Sequence, residues 1–295
     1  MNERRADLPV VAALGATVLW SCGNILVREA TLPGPQLAFF RVVVGCLIYT
    51  AVVVVFRGGR PSLTAIRLSA LGGLGFGLQA ALYFTALKMT TLASAAVIGA
   101  LQPVMLLPVS MVLYGERPDR RRIVLVFVAI GGTALVILGS SSSGTWSLGG
   151  DLLALAGTAV GCCYFVGTKS ARQRLGVFEY QSSALLVAAV CALPFAAFIG
   201  DGLFWPSWSQ WIWPFAMTAT AGTGHLLMSW AQRTLSVTFT STVSLDVLVL
   251  TMLAGAIVLG EPVRPIQILG TAVVLGSLVA YIRVARATEV VEPVA

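Results

Sequence analysis

Apolar residues run along this chain in stretches of about twenty, separated by short polar connections, and some stretches carry no charge at all. Met89 to Tyr114 and Val247 to Gly260 are two such uncharged runs. An α-helix of about 20 residues, rising about 1.5 Å per residue, crosses a hydrocarbon core of about 30 Å. Ten spans of this kind fit, near residues 9–27, 36–56, 68–87, 91–113, 123–139, 151–168, 180–199, 211–231, 237–259 and 266–282. The longest connections, "GSSSSGTWSLGG" (139–150) and "RGGRPSLTAIR" (57–67), leave no room for a soluble domain. The first run is too long for a signal-peptide core and no small-x-small cleavage site follows it, so it reads as a retained first helix. The pattern predicts an all-α integral membrane protein with ten transmembrane helices.

Composition agrees with the pattern. Of 295 residues, 57% are hydrophobic and 11% charged, against about 25% charged in soluble domains; the mean hydropathy is +0.89. The net charge of +7 does not imply nucleic acid, because the basic residues stand between apolar runs and not along one exposed face. Cys22, Cys46, Cys162, Cys163 and Cys191 all fall inside apolar runs without metal-ligand spacing. They read as small buried hydrophobes, and neither a metal, a cofactor nor a disulfide framework is expected. With the N-terminus in the cytoplasm, fifteen of the nineteen lysines and arginines fall on the inner face, and Arg28, Lys88 and Arg264 remain outside. This asymmetry places both termini in the cytoplasm and demands an even number of spans. The proposed outer loops collect Trp146, Trp205, Trp208, Trp211 and Trp213, as an interfacial belt does.

A shift of 145 residues brings the two halves into register. Gly115-Glu116 falls on Gly260-Glu261, Gly131 on Gly276, Ala86 on Ala231 and Lys88 on Arg233. With a gap of a few residues, Trp20 to Arg28 falls on Gly161 to Lys169. Residues 1–146 and 147–295 then form two repeats of five spans each. Five is odd, so the second repeat enters the membrane inverted, the architecture of many secondary transporters. Glu116 is expected to face the cytoplasm and Glu261 the outside, so the two carboxylates cannot share one site. The arginines after Glu116 hold that turn in the cytoplasm, and the turn after Glu261 keeps only Arg264.

The ten spans, the two Gly-Glu pairs, "IGALQPVMLLP" (98–108) and "ILGTAVVLGSLVAYI" (268–282) resemble EamA-type members of the drug/metabolite transporter superfamily. The resemblance covers nearly the whole chain. It implies two inverted five-helix halves around a central cavity that opens alternately to either side, and the export of amino acids or other small metabolites. Relatives of that kind carry nucleotide sugars or triose phosphates. Pro103 matches the mid-span proline of the family's fourth span, whereas Leu248 stands at the equivalent place in span nine beside Asp246. The second half is therefore expected to bend less.

Ionisable groups within a span cost about 2.5–3.5 kcal/mol at its centre, and each needs a partner or a wet cavity. Asp246 lies 13 residues before Leu259, roughly 20 Å along span nine. It fits a proton-coupled or cation-sensing cavity site, or else a hydrogen bond between helices. His225, the only histidine, reads as a packed core group or as a ligand and proton relay, and it meets Asp246 if spans eight and nine are adjacent. Gln79 and Tyr83, four apart, share one helical face, and Gln102 precedes the Pro103 kink. Trp20 and Asn24 share a face of span one. These five residues together suit a polar, aromatic cavity for a small zwitterion or amphiphilic metabolite, and interhelical hydrogen bonding explains any one of them alone. Arg41, five residues into span two, either neutralises a substrate anion or snorkels to the interface. Glu116 and Glu261 fix helix ends or form gates. Lys88 and Arg233 read as solvated anchors. The cluster "GGLGFG" (72–77) follows no strand and reads as close helix packing, not as a nucleotide loop. The small-residue runs at 130–139 and 269–277 mark helix contacts or a dimer face.

The leading function is a secondary exporter of small metabolites such as amino acids, in the cell inner (plasma) membrane as a monomer or homodimer. Its partners are a small-molecule substrate and the lipid bilayer, with no nucleic acid. No Walker motif is present, so an ion gradient, an exchanged solute or the substrate's own gradient must drive it. An antiporter of phosphorylated or nucleotide-linked sugars is the alternative, though no dense basic pocket is visible. An intramembrane enzyme needs clustered carboxylates, histidines or metal ligands, and a channel prefers rings of like side chains. Neither signature is legible.

Overall fold

The computed structural model describes residues 8–57, 62–106, 120–141, 144–199, 202–235, 240 and 243–289. These residues are helical, with no strand among them. The chain forms α1 (Leu8–Glu29), α2 (Gly34–Arg57), α3 (Leu63–Met89), α4 (Leu92–Gly99), α5 (Arg120–Ser140), α6 (Leu148–Arg172) and α7 (Val177–Phe198). Then come α8, built of Ile212–Met217, a π-helical turn Thr218–Gly222 and Thr223–Ala231 end to end, α9 (Asp246–Val258) and α10 (Pro265–Glu289). Six of them among the described residues, α1–α3 and α5–α7, are long and apolar enough to cross a membrane. Shorter apolar helices run over Leu92–Leu106, Asp246–Val258 and Pro265–Ser277. The Gly-Glu pair at 115–116, and the end of the span predicted to 113, lie outside the described residues.

Polar side chains start several helices where the apolar runs begin. Ser62 accepts from the Ala65 N–H before α3, Thr91 from Ser94 before α4, and Ser147 from Gly150 before α6. Each hydroxyl satisfies a backbone donor the helix leaves open. Large apolar side chains such as Phe56 and Phe198 stand outward, 80% and 86% exposed. Such faces need hydrocarbon, not water, as their solvent.

In the interior, α3 packs against α6 and α7, α1 against α8 and α9, α4 against α6 and α9, α2 against α7, and α5 against α10. The glycine cluster of α3 makes this closeness attainable. A methyl on Gly73 would stand 2.5 Å from the Ala184 carbonyl oxygen of α7, and one on Gly75 2.5 Å from the Tyr164 nitrogen of α6. Gly75 faces Tyr164 while Gly150 faces Thr90, so α3 and α6 run antiparallel. Gly132 and Gly270 face each other in the same way, joining the small-residue runs of α5 and α10 within the molecule.

The fourth segment turns at Ala100–Leu101, just before Gln102 and Pro103. The expectation that the second half bends less is not met. A turn at Ser244–Leu245 precedes α9 at the matching place, without a proline. There the Val247 and Leu248 N–H groups donate to Ser244 and Leu245, at 3.3 and 3.2 Å. This is the tightened i→i+3 pattern that ends regular α-helix.

Candidate functional site

A cavity of about 130 Å³ lies where α1, α2, α3, α6 and α8 meet the turns before α9 and after α4. Trp20, Asn24, Gln79, Tyr83, Gln102 and His225, each singled out from the sequence, line it together with Arg41. The helical periods deliver them. Phe76, Gln79 and Tyr83 recur on one face of α3, and Trp20 and Asn24 on one face of α1. Asn24 donates to Thr251 of α9 at 3.0 Å, and the Tyr83 hydroxyl to the Ala95 carbonyl at 3.1 Å. The Trp20 indole N–H, Gln79 Oε1 and Gln102 Nε2 are buried without a partner among the described residues. Pro103 and Asp246 stand outside the lining.

Arg41 does not reach an interface. It is 4% exposed and presents its guanidinium to the cavity, with its central carbon 5.0 Å from the Phe76 ring centroid and 5.5 Å from that of Phe84. It makes no ion pair or side-chain hydrogen bond with a described residue. Stacking on ring faces contributes about 2 kcal/mol or more when desolvated, yet it leaves the five N–H donors of the fork unanswered. A buried charge in that state is held at a cost unless an anion meets it.

His225 packs its ring 4.6 Å from Phe76 and 4.8 Å from Trp20, and its Nδ1 lies 3.0 Å from the Tyr164 hydroxyl. Tyr164 in turn lies 3.4 Å from the Ser229 hydroxyl. The sequence-based pairing of His225 with Asp246 does not occur. Asp246 turns instead to Thr17 of α1, whose hydroxyl is 2.9 Å from Oδ2. Phe76, Phe84 and Tyr164 were missed as cavity residues. The period linking Phe76 to Gln79 and Tyr83 could have flagged Phe76, whereas Tyr164 has only Thr168 at helical spacing, a weak signal in an apolar span.

Cations bound to backbone carbonyls tie both ends of the bundle. At one end Arg28, in the last turn of α1, donates to the Leu87 and Thr90 carbonyls at 2.6 and 2.9 Å. Glu261, after α9, stands 3.5 Å from Arg28 and accepts from the Leu92 N–H at 3.1 Å. Burial raises the Glu261 carboxyl above its ordinary range, and Arg28 and the Leu92 N–H oppose that shift. Lys88 is not a solvated anchor: it donates to the Arg28 and Ala30 carbonyls. Asp151, unremarked in the sequence, is buried nearby and accepts from Thr90, Ser94 and Trp146 at 2.8, 2.6 and 2.8 Å. At the far end of α6, Lys169 donates to the Gln232 and Leu235 carbonyls at 2.9 and 2.8 Å. Arg233 is exposed, as expected of an anchor. Glu116 lies outside the described residues.

Apolar helices with lipid-type faces, enclosing a largely apolar cavity into which Arg41 and a few polar side chains reach, are those of a multi-pass membrane transporter. The chain belongs to the EamA-like transporter family, whose model matches residues 8–138 and 148–283. It is similar to the pseudopaline exporter CntI of Pseudomonas aeruginosa in two strains, 29% identical over 194 residues. That match covers 63% of this chain and 65% of the exporter, just under two thirds of its length. A solved crystal structure shares the fold, with a TM-score of 0.65 at 20% identity, over 95% of this chain and 98% of its own.

Proposed function

We propose that this protein is a secondary exporter of small carboxylate-bearing metabolites of the amino-acid type, working by alternating access around the cavity. The observation that carries this reading is Arg41, a guanidinium buried in the cavity wall with no acidic partner. Its planar fork matches a carboxylate bidentately. Trp20, Tyr83, Phe76 and Phe84 supply an apolar body for the rest of the solute, and Gln79 and Gln102 polar contacts. Similarity to an exporter of pseudopaline favours the outward direction. One guanidinium suits a carboxylate better than a sugar phosphate, for which more cationic groups would be needed to neutralise the charge.

The chain is read as ten transmembrane helices in two inverted repeats, residues 1–146 and 147–295, in the inner membrane with both termini cytoplasmic. Support comes from the cation ties. The shift of 145 residues carries Leu87 to Gln232 and Thr90 to Leu235, the carbonyls that Arg28 and Lys169 respectively hold. Packing partners exchange in the same way: α3 on α6 becomes α8 on α1, and α4 on α6 becomes α9 on α1. In this orientation Arg28 and Glu261 close the outer end.

The test is uptake into proteoliposomes of a panel of amino acids, amines and sugar phosphates, with and without a pH gradient. Amino acids are expected to move and Arg41→Ala to abolish the movement. Transport of amines lacking a carboxylate, undisturbed by Arg41→Ala, would overturn the reading. Cysteines placed at Glu116 and Glu261 are expected to react with impermeant reagents from opposite sides, and labelling from one side would refute the inversion.

A further inference from the structure

The contact between α1 and α9 beside the cavity contains one hydrogen atom too few. The Thr17 hydroxyl, fully buried, lies 2.7 Å from the Leu14 carbonyl oxygen and 2.9 Å from Asp246 Oδ2. Both distances are those of O–H···O hydrogen bonds, yet a hydroxyl has a single proton to give. With Asp246 ionised, Thr17 answers one acceptor and leaves the other. With Asp246 protonated on Oδ2, the carboxyl donates to Thr17 Oγ1 and Thr17 donates to Leu14, so both contacts are hydrogen bonds.

Beyond the Asp246 and Val247 N–H groups at the start of α9, the surroundings offer no positive charge to hold an anion there. Asp246 forms no ion pair with a described residue, and its buried Oδ1 has no side-chain partner among them. Among the described residues α9 packs chiefly on α1 and α4, and α10 touches it where Thr271 meets Met252, away along that helix from its own Arg283, Arg286 and Glu289. From α1 the ionisable side chains are Cys22, Arg28 and Glu29, all beyond Thr17 towards the Glu261 end, and α4 has none. Within α9 Asp246 is the only one. Of the ionisable groups in the cavity wall, Arg41 and His225 pack against Phe76, Tyr83 bonds to the Ala95 carbonyl and Tyr164 lies against His225.

We infer that Asp246 and Thr17 form a proton-binding site that couples the transport cycle to the proton gradient. One proton adds to the Asp246 carboxylate from one side and leaves from the other, with no other bond made or broken. The position gives this proton a hold on the cavity. Thr17 stands on the face of α1 that carries Trp20 and Asn24, and Asp246 directly precedes Val247 and Leu248, all four of them cavity lining. A second tie, Asn24 to Thr251, joins the same two helices one to two turns further on. Protonation makes the pair neutral with both contacts hydrogen bonds; loss of the proton leaves an ionised group, still tied to Thr17, that must draw water into the contact between α1 and α9. Exchange of one proton per solute follows, as antiport. This step rests on the exporter reading, but the site itself is measurable without any substrate.

The experiment takes the full chain in lipid. Infrared difference spectra between acid and alkaline buffer should show the carbonyl stretch of a protonated carboxyl that is absent from Asp246→Asn and displaced in Thr17→Val. In proteoliposomes with a radiolabelled amino-acid mixture as probe, Asp246→Asn should keep counterflow, because the amide still donates to Thr17. It should lose accumulation driven by a pH gradient. A carboxyl band unchanged in Asp246→Asn, or gradient-driven accumulation undiminished in that variant, overturns the proposal. If the wild type moves no amino acid, the exporter reading fails, and the infrared band alone decides the fate of the proton site.

Discussion

Replacing Arg41 by methionine separates a ligand-binding cation from a structural one. The side chain is 4% exposed and has no anionic partner, so its removal takes away a charge whose burial carries a penalty of several kcal/mol. What is lost is the stacking on Phe76 and Phe84, about 2 kcal/mol or more in a desolvated site, and methionine, filling the same slot between the rings, recovers part of it. The melting temperature in detergent should therefore stay level or rise. Binding should behave in the opposite way. Truncating one partner of a buried, hydrogen-bonded charge pair costs about 2–5 kcal/mol, which at about 1.4 kcal/mol per decade is a loss of about 30-fold to about 4,000-fold in affinity. Arg41→Lys should fall between, since it keeps the charge and loses the fork. The assay is tracer binding to purified protein, with thermal unfolding measured on the same samples. Arg41→Met that unfolds early while retaining affinity would refute the reasoning, because Arg41 would then be structural.

Two further predictions concern packing and the closed end. Gly75→Ala should destabilise by about 1–3 kcal/mol, because the new methyl meets the Tyr164 backbone. Gly131→Ala, with nothing within 4 Å, should instead gain about 1 kcal/mol of helix propensity, and thermal unfolding checks both. For Glu261, burial raises the folded carboxyl above its unfolded range, so the folded chain binds that proton more tightly. Its contribution to stability is thus fullest below the ordinary carboxylate range and is lost as pH rises through the raised value. A melting series across mildly acid pH should show that decline, and Glu261→Gln should flatten it; an identical slope in the variant would remove Glu261 as its source.

Much of this arrangement was legible because a membrane leaves the sequence little freedom. Uncharged runs of span length set the helices, and the i, i+4 pairs Gln79–Tyr83 and Trp20–Asn24 marked faces that do meet around one cavity. The glycines at 72–77 announced close packing, and the backbones of α6 and α7 lie against them. Arg41 was ambiguous for a physical reason. An arginine near a span end can snorkel or turn inward, and only Phe76 and Phe84, brought from another helix, decide between the two. The break before α9 was hidden because no proline marks it. Asp246 was expected to meet His225, but its partner comes from α1, 229 residues away, at a distance no local spacing encodes.

The central claim is that the cavity recognises a carboxylate through Arg41. It is tested most directly by counterflow in proteoliposomes of one amino acid against the same compound with its carboxylate converted to an amide. The account predicts that the acid exchanges and the amide does not, and that Arg41→Met erases the difference. Equal exchange of acid and amide by the wild-type protein would contradict it.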